Sequence, residues 1–260
     1  MAIVKKAAPA SKAPGTALRK WDEELAKYAS AKKEEEASVA LGKFVSLKSG
    51  VLSFNGNAVA GNKMNIVVLD SVLENHYYTE AYDSDNPASP VCFAFGRADG
   101  EMAPHEKSSE PQHDTCKGCP QNEFGSAEKG RGKACKNVRR LSLIPEDAIE
   151  SPEGVAEAEV AFLKLSVLNV KGWAGYVQQL ESTLRRPPFA VVTEISVVPD
   201  PKSQFKVNFK YVESVPDAMI EALIAKVEGG KDGIMFPYTA MEAKPAPPAK
   251  PNKFTKGARR

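Results

Sequence analysis

The chain has no run of about 18 consecutive apolar residues, the length that a membrane-spanning helix requires. It also begins without the apolar stretch of a signal peptide, so a soluble, cytoplasmic protein is expected. Cysteine is scarce, with four among 260 residues. Because a reducing compartment disfavours disulfide bonds, the four thiols are expected to be free to bind a metal ion.

Acidic residues are missing from both ends of the chain. Residues 1–20 hold five basic residues and residues 243–260 hold six, which leaves 24 basic against 33 acidic residues in the body. Basic ends favour the binding of a polyanionic partner. An acidic body can bind such a partner only where its positive charges are concentrated in one place. The Ala-, Pro- and Lys-rich segments 1–17 and 241–260 are predicted to be disordered.

Hydrophobic periodicity predicts a mainly β fold with helices (β + α) over residues 39–240. A charged helix is predicted before it, over 18–38, and two amphipathic helices within it, over 171–184 and 217–227. The acidic stretch 145–159 is predicted to be a loop. Predicted strands cover 43–54, 64–70, 72–82 (a continuation or a partner of the previous strand), 90–95, 141–144, 161–167, and a hairpin of 189–198 with 204–212. This order suits an antiparallel barrel with a loop-rich insertion at 92–140 better than a doubly wound parallel sheet.

A Cys-x-x-Cys pair lies in the middle of this insertion. Cys116 and Cys119 are two residues apart, so both thiolates face one tetrahedral ion, and Gly118 permits the tight turn between them. Cys135 follows 16 residues after Cys119, a spacing within the range of zinc modules. The segment around the pair is too long to lie unstructured in a compact domain, and a bound metal accounts for it.

Two residues are candidates for the fourth ligand. Cys92 ends a predicted strand that leads into the insertion, and His113 lies three residues before the pair. Either choice gives four protein ligands, which leaves no open position for water and indicates a structural zinc ion. A redox role is disfavoured because the pair does not open a helix in a βαβ unit. A zinc deaminase is disfavoured because Pro120 follows the pair and His105-Glu106 has the wrong spacing.

The chain after the Cys-x-x-Cys pair is the most basic part of the body. A metal-pinned loop with exposed backbone suits a phosphate chain, although a solvated run of charge is the alternative interpretation. Single-strand binders also need rings on which bases stack, and the strands beside the insertion carry such rings. The candidate nucleic-acid-binding residues are Lys129, Arg131, Lys133, Lys136, Arg139, Arg140, Tyr77, Tyr78, Phe95 and Arg97. Strand alternation puts Tyr77 and Tyr78 on opposite faces, and the helically spaced Trp173 and Tyr176 are predicted to be core residues.

Several runs around the cysteines resemble a group of tailed-phage single-stranded DNA-binding proteins. They are Cys-Lys-Gly-Cys-Pro-Gln-Asn-Glu-Phe-Gly-Ser (116–126), Gly-Lys-Ala-Cys-Lys (132–136), Arg-Arg-Leu (139–141) and Phe-Ala-Val-Val-Thr-Glu-Ile-Ser (189–196). The resemblance covers about residues 43–215. It implies an OB-like antiparallel barrel with a zinc-binding loop insertion at 92–140, and it implies that Cys92 completes the zinc site. It also implies work in phage DNA replication or recombination in the host cytoplasm, with replication or recombination proteins as further partners. The basic, Pro-rich tail departs from the acidic tail with which many single-strand binders end.

Three functions remain in competition at this point. The first is sequence-independent binding of single-stranded DNA, with RNA as an alternative ligand, by a basic loop and stacking rings. The second is a zinc-stabilised protein–protein adaptor that uses the knuckle and the helix around Trp21. The third is an enzyme such as a nuclease, which is disfavoured because the sequence offers no nucleophile–base pair and only Asp83 and Asp85 in a predicted surface turn. No membrane partner is expected, and no pattern indicates an oligomeric state.

Overall fold

The computed structural model describes residues 43–80, 88–201 and 203–238, together with Leu25, Lys27 and Tyr28. The chain divides into two compact units, residues 1–42 and residues 43–260. The three described residues of the first unit are helical. The rest of the predicted helix 18–38, the basic arm 1–17, the turn with Asp83 and Asp85, and the tail 241–260 lie outside the described residues.

The described part of the second unit forms one sheet of nine strands with three α-helices. The strands are β1 (Lys43–Ser46), β2 (Ser53–Phe54), β3 (Asn57–Ala58), β4 (Lys63–Tyr77), β5 (Cys92–Gly96), β6 (Lys136–Pro145), β7 (Ala161–Leu165), β8 (Val191–Asp200) and β9 (Gln204–Ser214). The helices are α1 (Pro152–Glu157), α2 (Val167–Leu184) and α3 (Asp217–Gly230). The order across the sheet is β3-β2-β1-β7-β6-β4-β8-β9, with β5 beside β4.

Strand β4 organises the sheet because it pairs with three other strands. Its beginning pairs with β8, most of its length with β6, and its end with β5, all antiparallel. The pairing register with β6 shifts between Val68 and Asp70, and such a bulge bends a strand and increases its twist. The predicted segments 64–70 and 72–82 therefore belong to one strand, which ends at Tyr77. Strand β6 starts inside the predicted insertion, at Lys136.

One strand pair is parallel, which corrects the expectation of a wholly antiparallel barrel. Strand β1 runs parallel to β7, with Phe44 opposite Phe162 and Val45 opposite Leu163. A parallel pair needs a long connection, and alternation within a four-residue strand carries no signal for a partner so far along the chain. The sheet is therefore mixed, and it curls into a half barrel.

The main hydrophobic core lies between the inner face of the curled sheet and α2. Trp173, Tyr176 and Leu180 are three or four residues apart, so they share one helix face, and all are buried against strand residues such as Leu141. The buried Tyr176 hydroxyl lies 2.7 Å from Thr193 Oγ1, so its polar end is satisfied. The helix, its core residues and the β8–β9 hairpin agree with the sequence prediction.

The stretch predicted to be an acidic loop contains helix α1, so that prediction was wrong. Ser151 caps the helix by accepting a hydrogen bond from the Gly154 backbone N–H at 3.0 Å, and Pro152 occupies the first turn. Val155 is fully buried in a second hydrophobic cluster, between β4 and α3. The Ser151 cap and the burial of Val155 stabilise this helix, which cannot be recognised from its content of Pro, Gly and Glu.

Helix α3 covers the same cluster. Met219 and Leu223 are buried as predicted, but Ile224 is 46% exposed, which corrects its expected inward position. The helix also continues through the glycine pair that was expected to stop it and ends at Gly230. In the part of the chain that the structure describes, no helix combines the length and the apolar character that crossing a membrane requires.

The side chain of Asn62 fixes the N-terminal hairpin to the far side of the half barrel. It accepts from the Leu52 N–H at 2.6 Å and donates to the carbonyls of Gly50 and Val197 at 2.8 and 3.0 Å. Its φ of +57° lies in the left-handed region, which asparagine tolerates better than most residues. One side chain thus joins the segment between β1 and β2 to β8.

Candidate metal centre and nucleic-acid interface

All four cysteines line one small cavity of about 20 Å³. Cys92 is the first residue of β5, Cys116 and Cys119 lie in the turn between the strands, and Cys135 directly precedes β6. The alternative ligand His113 also lines the cavity. The space matches about one water-sized sphere, which is the scale of a single ion with its ligands drawn in.

Backbone hydrogen bonds fix the turn that carries the cysteines. The Cys116 N–H donates to the Met102 carbonyl, and the Cys135 N–H donates to the Gln121 carbonyl, both at 2.8 Å. Gly118 has a φ of +80°, so the tight turn between the paired cysteines uses the left-handed conformation that its glycine permits. The knuckle, residues 116–135, is thereby tied both to itself and to the chain after β5.

Asn122 is a polar hub that the sequence analysis missed. Its Nδ2 donates to the Cys116 carbonyl at 2.9 Å, while its Oδ1 accepts from Asn137 at 3.0 Å and from Lys133 at 3.2 Å. Asn137 also donates to Asn75 Oδ1 at 2.7 Å, which links the knuckle to β6 and β4. An asparagine three residues after a Cys-x-x-Cys pair is a weak signal, because its partners come from distant strands.

The chemistry of the cavity fits a zinc ion. Burial raises the pKa of the Cys92, Cys116 and Cys135 thiols, that of Cys135 to about 12, and the neighbouring cysteines raise them further. A divalent cation reverses this effect because it binds and stabilises the thiolate forms. Asn75 Nδ2 is buried without a full hydrogen-bond partner and favours the thiolate of Cys116. Such a donor is suited to a metal-bound sulfur.

Both candidate ligand sets share this cavity. His113 Nδ1 accepts from the Thr115 N–H at 3.3 Å, which leaves Nε2 as the ring nitrogen that could bind a metal. The four cysteine side chains lie close enough for neighbouring thiols to raise one another's pKa. Within the described ranges, no three His, Cys, Asp or Glu side chains already have the geometry of a bound ion. The ligand set therefore stays a prediction.

A groove of about 690 Å³ lies between the end of β4 and the knuckle. Four of the predicted nucleic-acid-binding residues line it, namely Tyr77, Tyr78, Lys129 and Lys136. Tyr78 is 37% exposed, and Lys129 and Lys136 are exposed, with Lys136 Nζ donating to the Lys133 carbonyl at 2.7 Å. Two acidic residues, Glu80 and Glu128, also line this groove.

The tip of the knuckle presents a ring that the sequence analysis overlooked. Phe124 is 82% exposed, and Lys133 Nζ lies 5.1 Å from the centre of its ring. Arg131 is exposed on the same loop. An aromatic residue inside a basic glycine-rich loop was the available signal, because such a loop has no core in which to bury it.

The remaining candidates lie apart from the groove. Arg139 is half-buried on the core side of β6, where burial lowers its pKa, and its Nε lacks a partner. Arg140 is 4% exposed on the opposite side, with its guanidinium carbon 4.5 Å from the centre of the Phe95 ring. Arg97 makes two hydrogen bonds to Asp70, at 2.9 and 2.7 Å.

Arg140 belongs to a buried charged cluster around Glu74. The fully buried Glu74 carboxylate lies 2.7 Å from both Arg140 Nε and Lys164 Nζ, and it accepts from the Tyr238 hydroxyl. Burial alone would raise the pKa of Glu74, but His76 and the two cations hold it well below its usual value. His76 Nδ1 is 3.6 Å away, too far for a good hydrogen bond, so the two cations are the stronger cause.

The cysteine cavity and the groove are neighbours, since Tyr77 and Gln121 line both. Comparison with protein-family models, curated proteins and solved structures found no match to this chain. Its function is therefore inferred from the side chains themselves. They offer sulfur donors for a metal, rings for stacking and cations for phosphate, all around the end of β4.

Proposed function

We propose that this protein binds single-stranded DNA without sequence preference and catalyses no reaction on it. The observation that carries the proposal is the groove in which Tyr77 and Tyr78 lie beside Lys129 and Lys136. Single-strand binders combine a positive groove that follows the backbone with rings that stack on bases, and every base has a face for stacking. The resemblance to tailed-phage binders around the cysteines supports a role in phage replication or recombination.

Local charge answers the objection that the body of the protein is acidic. Between residues 116 and 140 the chain carries seven basic residues (one each at 117, 129, 131, 133, 136, 139 and 140) and two acidic ones, Glu123 and Glu128. Lys117, Lys129, Arg131 and Lys136 are exposed there. Arg139 and Arg140 lie apart from the groove, so these four exposed cations, set against the exposed Glu80, Glu123 and Glu128, are the local excess of positive charge, and screening limits the reach of more distant acidic groups.

The strand order supports an OB-like assignment as part of this proposal. OB folds are five-stranded, partly open barrels that bind oligonucleotides through the face of strands two and three and through neighbouring loops. We assign β4, β6, β7, β8 and β9 to these five strands. The knuckle then forms the loop between the first two strands, which is one of the binding loops of such folds. The parallel strand β1 is an addition beside β7.

The metal has a structural role in this proposal. Four thiolates around one zinc ion leave no position for water, so the ion would fix the loop rather than activate a nucleophile. Zinc would be held by Cys92, Cys116, Cys119 and Cys135, and binding would release their protons. The basic residues of the knuckle then meet the phosphate chain in one ordered arrangement, which lowers the entropic cost of binding.

A titration with fluorescent oligo-dT of about 30 nucleotides tests the proposal directly. Binding should weaken steeply with salt, with a slope of about −0.7 per phosphate contact on a log–log plot, and a duplex of the same length should bind more weakly. Lys129→Ala and Lys136→Ala should each reduce the slope by about 0.7. Tyr78→Ala should weaken binding about 5- to 150-fold with an unchanged slope, because one stacked base is lost.

The matched control is Lys210→Ala, which removes an exposed charge from β9, away from the groove lining. It should leave both affinity and slope unchanged. If the zinc-loaded protein binds neither oligonucleotide at low salt, single-strand binding is excluded and the adaptor function takes its place. Equal losses of affinity for Lys210→Ala and Lys129→Ala would show that the overall positive charge of the surface, and not the groove, attracts the DNA.

A further inference from the structure

One face of the sheet carries an unusual concentration of rings and cations. Residues directly opposite each other on paired strands point to the same side, and four such pairs share the side that faces away from Leu141 and the main core. The pairs are Phe44 with Phe162, Arg140 with Lys164, Phe95 with Glu74, and Phe93 with His76. We name this surface the aromatic face.

The last described residues of the chain cover the middle of the aromatic face. After α3, a short 3-10 turn (Gly233–Met235) leads to Phe236, whose ring centre is 4.0 Å from the Arg140 guanidinium carbon. The Phe236 ring packs edge-on against Phe162 at 4.9 Å. Arg140 also donates to the carbonyls of Ile234 and Phe236, at 3.1 and 2.9 Å.

Tyr238 makes the second set of contacts. Its ring centre lies 5.1 Å from that of Phe93 and 4.6 Å from Lys164 Nζ, and its hydroxyl contacts Glu74 and Lys164. Ile234 is fully buried, whereas Phe236 and Tyr238 keep part of their surface exposed. The segment is thus fully buried at Ile234 and partly exposed beyond it.

Among the described residues, those at both ends of the aromatic face are partly exposed. Phe44 is 44% exposed at one end. At the other end, Tyr78 is 37% exposed, its ring centre lies 5.5 Å from that of His76, and it lines the groove beside the knuckle. The covered middle therefore continues directly into the groove through which we propose that DNA binds.

We propose that the aromatic face is a second binding surface for single-stranded nucleic acid, where bases and phosphates replace Phe236, Tyr238 and the carbonyl of Phe236. This inference rests on the proposed function. The segment 233–238 contains no acidic residue, so rings and backbone carbonyls hold it in place. These are the contacts that a base and a phosphate oxygen reproduce, and a phosphate is the stronger acceptor for Arg140.

Removal of the two competing rings tests the proposal while keeping the basic tail. The double variant Phe236→Ala/Tyr238→Ala should bind oligo-dT about tenfold more tightly than the wild type, because the two rings no longer have to leave the aromatic face before DNA binds there. Adding Phe162→Leu to the double variant should abolish this gain. Tyr211→Ala, an exposed ring on β9, is the control and should leave affinity unchanged.

Unchanged or weaker binding by the folded, zinc-loaded double variant would overturn the inference. If that variant does not fold, amide hydrogen exchange of the wild-type chain decides the question. Exchange at Met235, Phe236 and Tyr238 should become faster when saturating oligo-dT is added, and unchanged or slower exchange would overturn the inference. If the wild-type chain binds oligo-dT without faster exchange at these residues, the second surface alone is rejected. If neither the wild type nor the double variant binds oligo-dT, the proposed function is rejected as well.

Discussion

Replacement of Glu74 by glutamine should lower the free energy of unfolding by about 3 kcal/mol. Glutamine keeps the shape of the side chain but removes its charge, which leaves the 4%-exposed Arg140 without a counter-ion. Loss of one partner of a buried ion pair costs about 3–5 kcal/mol. The lower end applies because Lys164 is 40% exposed, so water compensates for the loss of its share of the cluster.

Urea unfolding at constant excess zinc, followed by the fluorescence of the buried Trp173, measures this change. The control is Glu228→Gln, which breaks the exposed pair of Glu228 with Lys231 and should change stability by less than about 0.5 kcal/mol. A loss below about 1 kcal/mol for Glu74→Gln would refute the reasoning, because Arg140 would then be stable in its buried position without the carboxylate.

The same pair of proteins gives a pH test. The pKa of Glu74 is lowered in the folded state from its ordinary value of 4.5, so its carboxylate stabilises the fold fully above that pH. As the pH falls below about 4.5, the unfolded chain takes up a proton before the folded one does, and the stabilisation is progressively lost. The stability difference between wild type and Glu74→Gln should therefore shrink between about pH 4.5 and pH 3. A constant difference would contradict a lowered pKa of Glu74 in the folded state.

Three further predictions concern the metal and the core. Purified protein should contain one zinc ion per chain by elemental analysis, and Cys92→Ser should lose it while His113→Ala retains it; the opposite result would assign His113 as the fourth ligand. Asn62→Ala removes three hydrogen bonds, two within the N-terminal segment and one to Val197 of β8, and should cost about 2–3 kcal/mol in urea unfolding, whereas a cost near zero would mean that packing alone holds this segment against β8. Tyr176→Phe leaves the buried Thr193 hydroxyl unpaired and should cost about 1–2 kcal/mol, measured as a lower urea midpoint at unchanged slope.

Local patterns predicted the elements whose stabilising contacts are close in sequence. The β8–β9 hairpin follows from two alternating strands around a turn predicted at 199–202, although Pro199 and Asp200 still pair with β9. Helix α2 follows from the spacing of Trp173, Tyr176 and Leu180. Helix α1 escaped prediction because its stability comes from the Ser151 cap and a buried contact, and not from its propensity. The parallel β1–β7 pair escaped because no periodicity records a partner so far along the chain.

The same distinction applies to the candidate site, where sequence patterns predicted some features and contacts with distant residues decided others. The spacing of the cysteines predicted their convergence, and all four line one cavity. Charge counting placed Arg140 with the loop lysines, because its burial depends on Glu74, a partner 66 residues earlier in the chain. The role of Phe236 and Tyr238 was equally hidden, since a ring beyond the last helix looks alike in sequence whether it contacts solvent or a sheet.

The parallel pairing of β1 with β7 also dictates when the sheet can be completed during synthesis. Lys43 pairs with Ala161, a separation of 118 residues (161 minus 43), so β1 has no partner on that side until β7 has left the ribosome. Contacts this distant in sequence form slowly, because the chain entropy of closing the loop opposes them. On that side β1 is therefore paired late, although it pairs on its other side with the nearby β2, and its short length of four residues limits the edge that it offers to other chains in the meantime.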